Sequence, residues 1–217
     1  MTIQFFGVSC FKITTKIGNE EVSLVTDPFS AKVGKLPRNL AGDILAISRL
    51  AHEHHNNIEA ATGEHTFLIE YPGEYEVKGI PIYGIPADHE GKEPPHYHAN
   101  TMFHFIVDDM HVVHLGGCSK PLTDEQLSQL GEVDVLMIPI GGGDVMGPVE
   151  AADLVSRMEP RVVIPMHYKM EGIDLKAEGT EKFIKELGIK GETMDKLKIM
   201  KKDLPAEDTK LILLTRS

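Results

Sequence analysis

Short apolar and β-branched runs, separated by turn residues at hairpin spacing, fill the first half of the chain. Strands are predicted at Thr2 to Phe6, Cys10 to Thr15, Val22 to Thr26, Asp43 to Ser48, Thr66 to Tyr71, Ile80 to Pro86, Thr101 to Val107 and His111 to Leu115. Gly18-Asn19, Pro72-Gly73, Gly91 and Asp108-Asp109 punctuate them, so this half reads as antiparallel sheet. After Gly116 the pattern changes. Thr123 with Gln126 three residues on forms a capping box for a helix to about Leu130, and Val133 to Ile138 is a strand of the fully buried kind. Pro148 suits the first turn of a helix reaching Met158, and Val162 to Pro165 returns as a strand, which completes a βαβ unit. A helix from Thr180 stops at Gly188, and Leu211 to Thr215 is a last strand after a lysine-bearing connection. Meanders followed by βα units imply an α/β (α+β) chain of two sheets with helices outside, four layers in all, and a single domain over 1–217.

Composition narrows the function. With 41% hydrophobic and 25% charged residues the chain matches an ordinary globule, and no apolar run approaches the roughly 18 residues of a membrane span. Two cysteines, Cys10 and Cys118, make no disulfide framework, in keeping with a cytoplasmic location. A net charge of -11 disfavours nucleic acid and anionic membrane as partners, leaving a small-molecule substrate, with homo-oligomerisation open. The C-terminal lysines are interleaved with Glu186, Glu192 and Asp195 and read as a solvated face.

Eleven histidines change the picture most. Three fall in Ala51-His52-Glu53-His54-His55-Asn56-Asn57, directly after a predicted strand; His89 and His167 also follow strand ends, where loops converge on a rigid frame. Neutral imidazole is a good first-row metal ligand, so His52, His54, His55, His89 and His167 are candidate ligands of a metal or catalytic site. Gly141-Gly142-Gly143 before a helix suits close backbone approach to a substrate, or a tight turn; neither a dinucleotide fingerprint nor a P-loop is completed there.

Gly7-Val8-Ser9-Cys10-Phe11, Thr26-Asp27-Pro28-Phe29, the histidine loop, Tyr71-Pro72-Gly73-Glu74-Tyr75, His114-Leu115-Gly116, Met137 to Gly143 and Val163 to Tyr168 together resemble the metallo-β-lactamase-fold hydrolases, in particular their small single-domain bacterial and archaeal type. The resemblance covers nearly the whole chain. It implies an αββα sandwich and a one- or two-metal site, usually zinc, that activates water on an ester, amide, lactone or phosphodiester. The signature it implies, H-x-H-x-D-H followed by a lone His, a bridging Asp and a last His, is degenerate in this chain. Anchored on Asn56-Asn57 it falls on Leu50, His52, His54 and His55; anchored on Ser48 it falls on Arg49, Ala51, Glu53 and His54. Gly117 stands where the bridging aspartate is expected, with Cys118 beside it as a further candidate ligand. Five imidazoles without an anion would hold one divalent ion and repel a second. A mononuclear hydrolytic site is therefore expected, with one zinc (manganese or iron as alternatives), or no metal if the site has decayed, and with His54, Glu53 or Asp27 as base or orienter. The alternative is a catalytically inactive relative that serves as a binding or interaction protein.

Overall fold

The computed structural model describes residues 1–87 and 100–217. In chain order the strands are Thr2–Gly7 (β1), Cys10–Ile17 (β2), Glu20–Thr26 (β3), Ile44–Ala46 (β4), Phe67–Ile69 (β5), Gly73–Val77 (β6), Ile80–Ala87 (β7), Asn100–Val107 (β8), Met110–His114 (β9), Val135–Pro139 (β10), Val162–Met166 (β11), Gly191–Met194 (β12), Lys196–Lys198 (β13) and Lys210–Leu214 (β14). The α-helices described are Asp124–Leu130 (α1), Pro148–Met158 (α2) and Thr180–Leu187 (α3). One sheet runs β13-β1-β2-β3-β4-β5 and the other β12-β14-β11-β10-β9-β8-β7-β6.

Alternation along each strand of the first sheet sends neighbouring side chains into different cores. Phe11, Ile13, Val22, Leu24, Ile44 and Ala46 face the core shared with the second sheet and with the buried sides of the helices. Cys10, Val25 and Leu45 point the other way, onto Phe29, Val33, Leu40, Ala61 and Ile173. The outer layer over those strands is thus built largely from the segment that joins β3 to β5. On the second sheet, β10 and β11 are buried throughout, as their unbroken apolar sequences require for parallel strands covered on both faces.

The four-layer α/β sandwich expected from the pattern is the observed fold, and the unit β10-α2-β11 is parallel as predicted. The antiparallel reading of the first half needs correction. β1, β2 and β3 are antiparallel, but β4 joins β3 in parallel and β5 joins β4 in parallel. That reversal matters for the site, because it points the C-terminal ends of β3 and β4 into the loops that carry Asp27 and the histidine triplet. The lysine-bearing connection before the last strand also contains β12 and β13, which close one edge of each sheet.

Candidate metal centre

Five strand ends converge on one place. β3 delivers Asp27, β4 leads through Ser48 and Arg49 to His52, His54 and His55, β9 ends in His114 ahead of Gly116-Gly117, β10 leads to Gly141 through Asp144, and β11 delivers His167. Two of the non-glycine residues among these hold left-handed backbones, Asp27 at φ 40° and His167 at φ 51°. Such strained positions persist when surrounding contacts over-determine them. The His167 N–H donates to the Val8 carbonyl at 2.6 Å, and its own carbonyl lies so close to Gly141 that a Cβ there would overlap it. Glycine at 141 is therefore what allows the β10 loop to close against the backbone of His167.

A buried hydrogen-bonded frame supports the cluster from below. The Asp27 carboxylate accepts from the Ser48 N–H at 2.7 Å, the Ser48 hydroxyl at 2.6 Å and His55 Nδ1 at 2.9 Å. His114 Nε2 donates to the Ser9 carbonyl at 2.9 Å while its Nδ1 accepts from the Gly116 N–H at 3.1 Å, so both of its ring nitrogens are engaged. Burial raises the Asp27 carboxyl to about 6, with His114, Ser48 and Arg49 pulling the other way. Burial likewise holds His55 well below its ordinary value, reinforced by Arg49 and by the neighbouring imidazoles.

Above this frame the rings face one another. His55 and His167 stack with centroids 5.6 Å apart and planes at 14°, and His54 lies 5.3 Å from His167 and 4.3 Å from His52. Asp144 completes the group: its Oδ2 is 3.3 Å from His52 Nε2, 3.8 Å from His54 Nδ1 and 3.5 Å from Arg49 Nη1. One ligand atom from each of His52, His54 and Asp144 lies within 4.8 Å of the others. Burial by itself would raise Asp144, but His167, His52, His54 and Arg49 around it hold it below the usual carboxylate range. Burial and the His55 ring hold His167 well below its ordinary value.

These donors suit a divalent metal ion, and the observation that decides this is internal to the chain. His55 Nε2, both ring nitrogens of His167 and His54 Nδ1 are buried with no hydrogen-bond partner among the described residues. Leaving such groups unpaired costs about 1–3 kcal/mol each. With its Nδ1–H donating to the Asp27 carboxylate, His55 presents a lone pair at Nε2, the tautomer that a metal-binding imidazole needs.

The predicted residues fall out unevenly. His52, His54, His55 and His167 are brought together, Asp27 sits beneath them, and Gly141, Gly142 and Gly143 form the loop that brings in Asp144. His89 lies outside the described residues. Glu53 is not brought to the cluster; its side chain is half exposed and its Oε2 lies 3.6 Å from Lys32 Nζ. Cys118 is packed in the shared core with its thiol donating to the Lys120 carbonyl at 3.3 Å, and burial pushes that thiol up to about 11, so it is not placed as a ligand. The expectation of a centre without an anion is corrected by Asp144, which sequence reasoning passed over as part of a turn. Arg49 was missed as well. It appeared only as a misplaced signature position, yet its side chain is 6% exposed and packed inside the centre.

A family model described as a beta-lactamase superfamily domain matches residues 2–167. The chain belongs to the beta-lactamase superfamily. Within that superfamily it is 28% identical over 193 residues to a UPF0173 metal-dependent hydrolase of Thermococcus onnurineus, a match spanning 76% of this chain and 84% of the relative. A similar protein of Methanopyrus kandleri, also described as a UPF0173 metal-dependent hydrolase, is 26% identical over 227 residues, covering 89% of this chain and 96% of its own. Among solved structures, a proposed Zn-dependent hydrolase of the metallo-β-lactamase superfamily from Thermotoga maritima superposes with a TM-score of 0.77 at 30% identity, over 98% of this chain and 97% of that one. No helix among the described residues is long and apolar enough to cross a membrane.

Proposed function

We propose that this member of the beta-lactamase superfamily is a metal-dependent hydrolase with a mononuclear centre, acting on a small ester, amide, lactone or phosphodiester. The observation that carries the reading is the set of buried imidazole nitrogens of His54, His55 and His167 that have no hydrogen-bond partner among the described residues, with the Asp144 carboxylate beside His54. His52, His54 and Asp144 would hold the ion, with His55 and His167 turned toward the same space. Zinc suits a set of nitrogens with one carboxylate, with manganese and iron as alternatives. A divalent ion supplies Lewis acidity there, lowering the pKa of a water toward neutrality and polarising the scissile group.

The chain's own residues do the rest. Asp27 fixes the ring of His55 and its tautomer, and the Ser48 N–H and hydroxyl fix Asp27. His54, held neutral by burial, would offer the lone pair of its unprotonated ring nitrogen to the ion beside Asp144. The Gly141–Gly143 turn brings backbone close to the cluster and allows a substrate to approach without side-chain obstruction. One shared core running from Ile3 to Leu214 favours a single domain, and two free buried cysteines favour the cytoplasm.

The test is elemental analysis of untagged protein together with a panel of ester, lactone and phosphodiester substrates. About one ion per chain is expected, with turnover lost on chelation and restored by Zn²⁺ or Mn²⁺. His167→Ala and Asp144→Ala should each lower kcat/KM by more than about 100-fold, since removing even an outer partner of a ligand costs 10–100-fold. A folded chain that takes up no metal and stays inert with either ion would overturn the proposal.

A further inference from the structure

Arg49 and Gly117 fit each other in a way the hydrolytic reading does not use. A Cβ at Gly117 would overlap Arg49 Cδ and come within 3.1 Å of both Arg49 Nη1 and His55 Nε2. The space a side chain at 117 would fill is therefore taken by the arginine, and both its Nη1 and His55 Nε2 border that space. From the same position Nη1 reaches to 3.5 Å from Asp144 Oδ2, the carboxylate shared with His52 and His54. A single cation thus reaches Asp144 directly and borders, with His55, the space beside Gly117. Unlike a lysine or a histidine, a guanidinium does not give up its proton inside a protein.

We propose that Arg49 is the second positive centre of this site: a fixed guanidinium that takes the place of a second metal ion and limits the chain to one, with Gly117 making the room for it. The proposal rests on the metal-dependent reading above. Its logic is formal charge in a buried place. Asp27 and Asp144 carry two negative charges and Arg49 one positive, so one divalent ion leaves the centre at a net +1 and a second would take it to +3. Replacing Arg49 by Met and Gly117 by Asp makes the centre more negative by two charges and puts a carboxylate into the vacated space. Two divalent ions would then leave the net charge that one leaves in the natural chain.

The experiment compares the natural chain, R49K, R49M and R49M/G117D, each equilibrated with excess Zn²⁺, freed of loose metal by gel filtration and counted by elemental analysis, with circular dichroism to verify folding. One ion per chain is expected in the natural protein and in R49K, and two in R49M/G117D. Two ions in the natural chain, or a folded double variant that stays at one, would overturn the proposal. If the double variant does not fold, calorimetric titration of R49M with Zn²⁺ decides: a second binding event that the natural chain lacks is expected, and its absence counts against Arg49. A natural chain that binds no zinc at all is a different failure, since it removes the hydrolytic reading first.

Discussion

Asp27 decides what His55 can do. With three hydrogen bonds converging on one buried carboxylate, the ring of His55 is held in a single tautomer, and a neutral amide at that position would no longer favour the Nδ1 proton as strongly. Asp27→Asn is therefore expected to weaken Zn²⁺ affinity by about 10–100-fold while leaving the fold intact, as read by competition with a chromophoric chelator. Unchanged affinity in a folded variant would mean that His55 takes no part in holding the ion. The histidine triplet was legible in the sequence because three imidazoles crowd into four positions after a strand, and His167 because it ends another. Asp144 was not, since an aspartate after three glycines has the composition of a turn, and only the fold shows that β10 aims that turn at His52. Gly117 looked like a ligand simply lost. That Arg49 occupies its missing side chain depends on two loops from different sheets meeting, which no local spacing encodes.

At the scale of elements, the pattern was most legible where burial is one-sided or complete. Helix α2 begins and ends at the residues predicted, and α1 carries the predicted capping box, Thr123 Oγ1 accepting from the Gln126 N–H at 3.2 Å and Gln126 Oε1 accepting from the Thr123 N–H at 2.9 Å. Strands β6, β12 and β13 escaped because their largely polar or exposed sequences, GEYEV, GETM and KLK, lie toward sheet edges and carry little apolar alternation. Thr123→Ala should lower unfolding free energy by about 1 kcal/mol and Tm by roughly 2–4 °C with metal content unchanged, in a calorimetric scan of the loaded protein. A second element-level prediction concerns β8 and β9, which pair His104 Nε2 with His111 Nδ1 at 2.9 Å away from the metal centre. Burial, then the His111 ring, lower His104 to about 4. A base whose folded pKa is depressed contributes stability that is complete above its unfolded value near 6.5 and is lost as the pH falls toward 4. His104→Gln should accordingly lose about 1–2 kcal/mol less than the natural chain between pH 6.5 and 4 after allowance for solvent screening. Parallel urea titrations that show equal losses would remove His104 from the acid response.

For the whole molecule, the centre sits where the C-terminal ends of strands from both sheets meet, so loading it with metal should be linked to the stability of the entire chain. Without an ion, His54, His55, His114 and His167 all have depressed pKa values, chiefly through burial. Below their unfolded value near 6.5 the unfolded chain binds more protons at these sites than the folded one, and stability falls as the pH falls. Asp27 has the opposite sign: raised from 3.8 to about 6, it binds its proton more tightly in the folded state, so acid favours folding at that one group. Four groups against one leave the metal-free chain acid-labile. An ion that binds only the folded state adds stability by mass action, about 2.7 kcal/mol at a free concentration 100 times its Kd. That gain requires deprotonated imidazoles and should shrink between pH 7.5 and 5. Urea unfolding followed by circular dichroism, with and without Zn²⁺ at both pH values, should show a large metal-dependent rise in the midpoint at pH 7.5 and a small one at pH 5. The chelated protein should unfold at lower urea at pH 5 than at pH 7.5. An equal metal-dependent rise at both pH values would mean that the ion is held by groups other than these histidines.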